Sequence, residues 1–517
     1  GLVGSEMCIR DSGDYDVDGV TSSHLFLTAL RRVGAKVDVV IPHRIQDGYG
    51  LSLHLLQQAK EDGVDTILTC DNGIAAIDEI AWAKAQKMTV LVTDHHAVPF
   101  EEHEGRRTEK KSLADAVVNP HQQDCGYPYK ELCGAGVAWN VIRVLYENYD
   151  MDKREAEDLL DFVAMATVCD VMSLTGENRI LVKEGLKRIR HTKNIGLQAL
   201  MQACNVQPEN ISAYHFGYVL GPCVNATGRL DTARHALRLF ETGQETEAEE
   251  IARDLVDLNQ ERKELTLQGV EMAKKLCEEG GYENDPVLVL FLPDVHESIA
   301  GLIAGRIREM YNRPVFVLTR GEEGVKGSGR STENYSMYEN MCGCAELFTK
   351  FGGHPMAAGL SLPEENVEKF RRKINENCPL TVEEVCPDIH IDMAMPVGYA
   401  STELVHQFAL LEPFGKDNPS PLFADRNLSI SRMWLIGKNR NVLRMSVLSE
   451  YGQPVPVIFF GDVETLFAYF TEKFGQEEVE NALHGRKNRI LFSMVYTAKI
   501  DFYQGNENLQ LEMKYYR

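Results

Sequence analysis

Residues 65–96 read "DTILTCDNGIAAIDEIAWAKAQKMTVLVTDHH". "DTILTC" is an apolar run of strand length, "AAIDEIAWAKAQK" spaces its apolar residues as a helix does, and "MTVLVT" is a second apolar run. Strand, helix and strand in that order predict a βαβ unit, hence a parallel sheet covered by helices. Both runs end on acid: Asp71 follows the first, and Asp94 follows the second with His95 and His96 behind it. Ligands bind beyond the carboxyl ends of such strands, so both polar groups belong to one edge of the sheet.

Upstream, "KVDVVIP" predicts another strand and "LSLHLLQQAKEDG" a helix stopped by Gly63. The opening "GLVGSEMCIRDS" puts Gly, Ser and charge where the pattern wants a first strand, so residues 1–12 read as foreign to the fold and the native first strand as missing. From Leu230 to Gly280 the chain is helical and charged, which predicts a long solvated helix joining two lobes. A second α/β unit starts at "DPVLVLFLP" and ends near Pro379. Beyond Asp388, short alternating runs such as "LSISRMWLI" and "PVPVIFFG" predict a small β-barrel. The expected division is 1–229, a helical linker 230–284, 285–380, and a barrel 388–517.

At 517 residues the chain is long enough for three or four cores, and its 44% hydrophobic and 25% charged composition is that of a globular protein. No apolar run reaches bilayer length and no secretory pattern opens the chain, which places it in the cytoplasm, with no membrane contact. The 12 cysteines lie scattered in apolar stretches without a CxxC pair and read as reduced core thiols. A net charge of −23 excludes coating of nucleic acid by bulk electrostatics. It leaves room for a local basic groove and suits a cleft that holds divalent cations.

"GDYDVDGVTSSHLFLTALRRVG" carries Asp14, Asp16 and Asp18 at alternate positions, with Gly19 opening an amphipathic helix. In an extended segment alternate side chains face the same way, so these carboxylates can converge. A calcium loop of the EF-hand kind fails, because its twelfth position is Leu25 counted from Asp14 and Leu27 counted from Asp16. Asp170 interrupts another apolar segment in "ATVCDVMSL". Each Asp alone is a helix cap or a satisfied strand end; four acidic clusters with imidazole make a mixed O/N site for divalent ions such as Mn²⁺ or Mg²⁺.

The ordered set "DYDVDG", "CDNGI", "VTDHH" and "ATVCDVMSL" resembles the DHH phosphoesterase superfamily, and "FGGHPMAAGL" is similar to the motif of its associated carboxyl-terminal domain. Within the superfamily the resemblance is to the RecJ single-strand-specific DNA exonucleases, through "DGYGLS", "LCGAGVAW", "GPCVNATGRL", "SGRS" and "LEPFGKDNPSPLF" in the same order, from Gly13 to the end of the chain. The resemblance implies that Asp16, Asp18, Asp71, His95 and Asp170 are ligands of two divalent ions, Mn²⁺ or Mg²⁺, with Asp71 shared. Asp94 would orient a histidine, His96 would face the phosphate, and His354, on Gly352 and Gly353, would contact the scissile phosphate or leaving group. Ser328 and Arg330 would grip a phosphate near the 5′ end, and Asn225 and Arg229 would line the cleft. Ser12 stands where some members of the superfamily carry a further metal-binding histidine. The implied architecture is a parallel-sheet DHH domain, a long helix, a second α/β domain and an OB-type β-barrel.

The implied activity is two-metal hydrolysis of single-stranded DNA from 5′ to 3′, releasing 5′-mononucleotides in repair and recombination, with a helicase or single-strand-binding protein as partner. In the tail, Trp434, Lys438, Arg440 and Arg444, then Arg486, Lys487 and Arg489, supply charge, and Phe459, Phe460 and Tyr503 supply stacking surface. Two other readings fit the same motifs: a DHH phosphodiesterase for small or oligonucleotide substrates, and a catalytically silent single-strand-binding scaffold.

Overall fold

The computed structural model describes residues 8–43, 47–48, 50–103, 106–282, 285–321, 324–380, 389–437, 440–503 and 506–517. It forms two compact units, Gly1–Pro387 and Asp388–Arg517. The first unit opens with a five-stranded sheet in the order Lys36–Val40, Cys8–Ser12, Thr66–Cys70, Thr89–Thr93, Ala116–Val118, parallel throughout. Helices Leu53–Glu61 and Ile77–Ala85 fall where periodicity predicts them.

One expectation fails here. Cys8–Ser12 is a strand, and it pairs in register with both Lys36–Val40 and Thr66–Cys70 as the second strand of the sheet. Its polar residues are accommodated by distant partners: Arg10 bonds Asp38 through Nε and Nη2 at 3.0 and 2.7 Å and Asp62 through Nη1 at 2.9 Å. Asp11 is fully buried against Cys70, whose Sγ lies 3.4 Å from its Oδ2, and burial pushes its carboxyl up to about 7.

Because that value lies above an unfolded aspartate's, the native chain keeps a proton that the unfolded chain has released between about pH 4 and 7. The contribution is fully present below the unfolded value and disappears as pH rises through the folded one, a change of roughly 4 kcal/mol. Asp11→Asn is therefore expected to match the native chain in urea unfolding at about pH 4 and to exceed it at about pH 8. Parallel profiles for the two proteins would count against a buried, protonated Asp11.

A second correction concerns the linker. The segment divides into Ala233–Glu241 and a 35-residue helix, Glu245–Glu279, about 52 Å long. The long helix is not solvated all round. Its first half buries Ala248, Ile251, Ala252 and Leu255 in the core of the parallel-sheet domain, and its second half buries Val270, Ala273 and Cys277 in the next core. That core serves a second five-stranded sheet, ordered Lys350–Gly353, Ala357–Leu362, Gly324–Arg330, Val315–Gly321, Leu288–Phe291 and antiparallel but for its last pair.

In the second unit, Phe423–Ile436, Val442–Leu448, Pro454–Phe459, Asn506–Tyr516 and Leu491–Tyr503 pair in that order, and the last closes back on the first. This is a closed five-stranded barrel of OB type. Alternation sends Phe459 into its core at 5% exposure, which removes Phe459 from the expected stacking set, whereas Phe460 is exposed. Trp434 and Arg444 are register partners on adjacent strands. Arg489 is held by Glu478 at 2.8 Å, Lys438 lies outside the described residues, and so does the side chain of Tyr503. Among the described residues no helix is long and apolar enough to cross a membrane.

Candidate metal centre and adjoining cleft

The carboxyl edge of the parallel sheet collects the predicted acids. Three triads of donor atoms lie within 4.8 Å of one another: Asp14, Asp16 and Asp71; Asp18, His95 and Asp170; Asp71, His95 and His96. Asp71 and His95 each belong to two of them, and His95 Nε2 lies 3.0 Å from Asp71 Oδ1 and 3.7 Å from both Asp18 Oδ2 and Asp170 Oδ2.

Each position has a local cause. Asp16 is the N-cap of Val17–Arg32 and accepts from Gly19 N at 3.0 Å, so Asp18 already sits in the first helical turn. The extended-segment argument therefore holds only as far as Asp16, and the helix begins two residues before Gly19. A Cβ on Gly19 would come within 2.6 Å of Asp14 backbone atoms, which explains the glycine. In "CDNGI", Asp71 takes the left-handed conformation at φ 61°, a region aspartate tolerates better than most residues. Asn72 Nδ2 ties the turn to Ser12 O and Cys70 O at 2.8 and 3.0 Å.

Asp94 anchors the next turn. Its Oδ2 accepts from Ile74 N at 2.9 Å, and its Oδ1 accepts from the backbones of His95 and His96 at 2.7 and 3.0 Å and from His96 Nδ1 at 2.7 Å. The histidine it orients is thus His96, leaving His95 Nε2 for the acidic cluster.

Burial and mutual repulsion dominate the electrostatics. Asp71 is held well above the usual carboxylate range, first by burial and then by Asp18, Asp16, Asp14 and Asp170; Asp16 is raised by burial and by Asp18. Burial lowers His95 despite the Asp18 charge. For His96 burial is outweighed by the bond to Asp94 and by surrounding carboxylates, which lift it to about 9, and the same bond holds Asp94 low against its own burial. Carboxylates crowded in this way, with a neutral imidazole among them, are the donor set that hard divalent cations take. The residues present fit the implied metals.

Composition and periodicity missed one part of the centre. Helix Gly134–Asn148 aims its first N–H groups at Asp18: Gly134 N reaches Oδ2 at 2.6 Å and Ala135 N reaches Oδ1 at 2.7 Å. A helix N-terminus stabilises a carboxylate there. "LCGAGVAW" held the signal, since Gly134 is the residue without a side chain at the contact.

The chain matches the DHH family, N-terminal domain, over residues 9–167, the DHHA1 domain over 284–378 and the RecJ OB domain over 391–515. It is 33% identical over 524 residues to the single-stranded-DNA-specific exonuclease RecJ of Haemophilus influenzae, covering 97% of this chain and 86% of that protein. The chain belongs to the RecJ family. RecJ of Bacillus subtilis is also 33% identical, over 85% of this chain, but this chain spans only 55% of its length. Among solved structures, RecJ from Thermus thermophilus in complex with Mn²⁺ gives a TM-score of 0.78 at 26% identity, over 99% of this chain and 69% of that one. An exonuclease RecJ bound to manganese gives 0.61 at 32% identity, over 71% of this chain and 89% of that one.

Two of the other residues expected at the site, Ser328 and Gly352, share a cavity with Tyr15 of "DYDVDG". A cavity of about 440 Å³ brings Tyr15 and Gly48 of the first domain together with Lys326, Ser328, Phe351 and Gly352 of the second. Arg229 Nη1 donates to Ser298 O at 2.6 Å, Asn225 Oδ1 accepts from Val17 N at 3.1 Å, and a Cβ on Gly301 would come within 2.9 Å of Arg330 Nη2. Gly353, at φ 154°, ends the strand before His354, whose backbone N donates to Ala357 O at 2.8 Å while its side chain stands exposed. Lys326 was not anticipated; its Nζ pairs with Glu297 at 2.9 Å on the cavity wall.

Proposed function

We propose that this chain is a metal-dependent exonuclease that degrades single-stranded DNA from 5′ to 3′ and releases 5′-mononucleotides; its relatives named single-stranded-DNA-specific exonuclease RecJ support the substrate and the reaction, and the polarity and product are our own reading. The observation that carries the reading is the convergence of Asp14, Asp16, Asp18, Asp71 and Asp170 with His95 at one sheet edge, next to a cavity walled by Ser328 and Lys326.

Asp16, Asp18, Asp71, His95 and Asp170 would hold two ions, Mn²⁺ or Mg²⁺, with Asp71 shared between them. Those ions, when bound, supply Lewis-acid activation of water and charge stabilisation at the phosphoryl oxygens. Asp94 fixes the His96 ring through Nδ1, and His96 would face the scissile phosphate. Ser328 and Arg330 would bind the phosphate at the 5′ end, Asn225 and Arg229 would line the cleft, with Asn225 bracing the start of the helix that bears Asp18, and His354 would meet the leaving group. Gly352 and Gly353 let the strand approach the backbone closely.

The barrel favours a long strand over a dinucleotide. Trp434 and Arg444, side by side on adjacent strands with the Arg432 guanidinium 5.6 Å from the Trp434 ring centroid, offer stacking and phosphate contact. A local groove predicts that affinity for single-stranded DNA falls steeply with salt in spite of the chain's −23 charge. Filter binding across a salt series checks it, and a flat response would remove the groove. We also place the chain in the cytoplasm with a helicase or single-strand-binding protein as partner; the cysteines, free wherever described, are consistent with that compartment.

The deciding experiment is a time course on 5′-labelled and 3′-labelled strands with Mn²⁺, Mg²⁺ or chelator. Immediate metal-dependent release of labelled mononucleotide from the 5′ end alone is expected. Turnover of dinucleotides without attack on long strands would favour a small-substrate phosphodiesterase, and binding without cleavage in any metal would favour a silent scaffold.

A further inference from the structure

Helix Gly221–Leu230, which bears Asn225 and Arg229, also carries a thiol that the proposed chemistry does not use. Cys223 is 2% exposed and its Sγ lies 3.7 Å from the Sγ of Cys204, the half-buried C-cap of helix Ile195–Ala203. Cysteines packed merely as small apolar groups need no polar partners. This pair has one. Asn259, 4% exposed on Glu245–Glu279, donates from Nδ2 to Cys223 Sγ at 3.3 Å. The orientation of that amide is set from behind: Arg262 donates to Asn259 Oδ1 from both Nε and Nη2, at 3.1 and 2.8 Å.

The arrangement makes the two sulfurs unequal. The bond with Cys204 lowers Cys223, and Asn259, Lys263 and Arg262 assist it against burial, while Cys204 is held up, first through the same bond to Cys223. Two thiols in contact, one of them eased towards ionisation by its polar neighbours, are the arrangement of an attacking and a resolving cysteine.

We propose that Cys204 and Cys223 form a reversible oxidative modification site that closes to a disulfide under a peroxide-class oxidant, and that closure slows turnover at the carboxylate centre. The Cys223 thiolate attacks one peroxide oxygen and the O–O bond breaks, leaving a sulfenic acid on Cys223 and a hydroxide that takes up a proton. Cys204 then releases its proton, and its sulfur attacks the Cys223 sulfur. The S–S bond forms as the S–O bond breaks, and the departing hydroxide becomes a second water. Two thiols lose two protons and two electrons, and one peroxide is reduced to two waters.

Closure must bring the sulfurs together by well over an ångström, because a disulfide bond is about 2.05 Å long. Helix Gly221–Leu230 has no slack to absorb this. A Cβ on Gly221 would come within 2.3 Å of Cys169 Sγ, beside Asp170, and one on Gly228 within 2.4 Å of Tyr15 O, inside "DYDVDG". Asn225 meanwhile holds Val17 N, the first residue of the helix that bears Asp18. Displacement of this helix therefore reaches three of the proposed metal ligands, and a shift of about 1 Å at such a centre can cost up to about 10²-fold in rate.

The test uses the full chain, reduced, desalted and exposed to hydrogen peroxide, then alkylated, digested and mapped by mass spectrometry. The expected product is a Cys204–Cys223 peptide pair lighter by two hydrogens, with DNA release slowed at least about tenfold and both changes reversed by dithiothreitol. Cys204→Ser is expected to keep the basal rate and form no linked peptide, and Cys223→Ser to resist peroxide. Recovery of both cysteines in alkylated form after peroxide would overturn the proposal. So would equal inactivation of Cys223→Ser at the same dose. The rate measurement rests on the exonuclease reading whereas peptide mapping does not: an inactive reduced chain defeats that reading alone, and a missing cross-link defeats this inference alone.

Discussion

Replacing Asp71 is expected to abolish cleavage, lowering the rate at least about 10³-fold, while affinity for single-stranded DNA in the absence of added metal changes little. Asp71 belongs to two of the three donor triads, so its loss strips the site of a shared carboxylate and leaves the cavity wall of Ser328 and Lys326 untouched. Asp71→Ala makes the test, and Asp71→Asn makes it more cleanly. At φ 61° an alanine adds a backbone cost of roughly 1 kcal/mol, whereas asparagine tolerates the left-handed region and removes only the charge. The same substitution has a second, opposite signature. Since burial and four neighbouring carboxylates hold Asp71 well above its usual range, its neutral replacement relieves repulsion, and the melting temperature of Asp71→Asn in chelator is expected to exceed that of the native chain. Normal turnover in either variant would dismantle the site; a lower melting temperature in chelator would show that Asp71 is a structural anchor instead.

What could be read from sequence follows a physical boundary. Strand ends such as "TILTC" and "VLVT" announce themselves because apolar runs are local and the acid after them is adjacent. This placed Asp71, Asp94, His95 and His96 on one edge, and the structure has them there. Cys8–Ser12 was missed because its polar side chains look unsatisfied until Asp38 and Asp62, distant in sequence, arrive beside Arg10. Phe459 was misjudged for a related reason: the side of a barrel strand it faces depends on register with a partner, and register is not a local property. The solvated linker was misjudged because the long helix buries a different stripe in each of two cores. Ligand chemistry concentrated in short motifs was legible, and whatever depended on the third dimension was not.

Gly134 is such a case, and it carries the second large prediction. Gly134→Ala changes no ligand, yet it is expected to reduce turnover by about 10²-fold and to weaken Mn²⁺ binding, with the chain still folded. A Cβ at this position would stand 2.6 Å from Asp71 Cβ, 2.8 Å from its Oδ1 and 2.9 Å from its Cγ, closer than side chains pack. Asp71 has little freedom to retreat, since its own φ is 61° and Asn72 ties the turn to Ser12 O and Cys70 O. The helix would have to move instead. Gly134 N and Ala135 N hold both oxygens of Asp18, so a displaced helix drags one proposed ligand away while it pushes another. Calorimetric Mn²⁺ titration and single-turnover cleavage on the variant measure the two effects separately. Unchanged metal affinity with unchanged turnover would mean that the contact between the helix and the strand turn does not set the geometry of the centre. Weakened affinity with turnover restored at saturating Mn²⁺ would mean that the contact serves to hold metal and not to align the reaction.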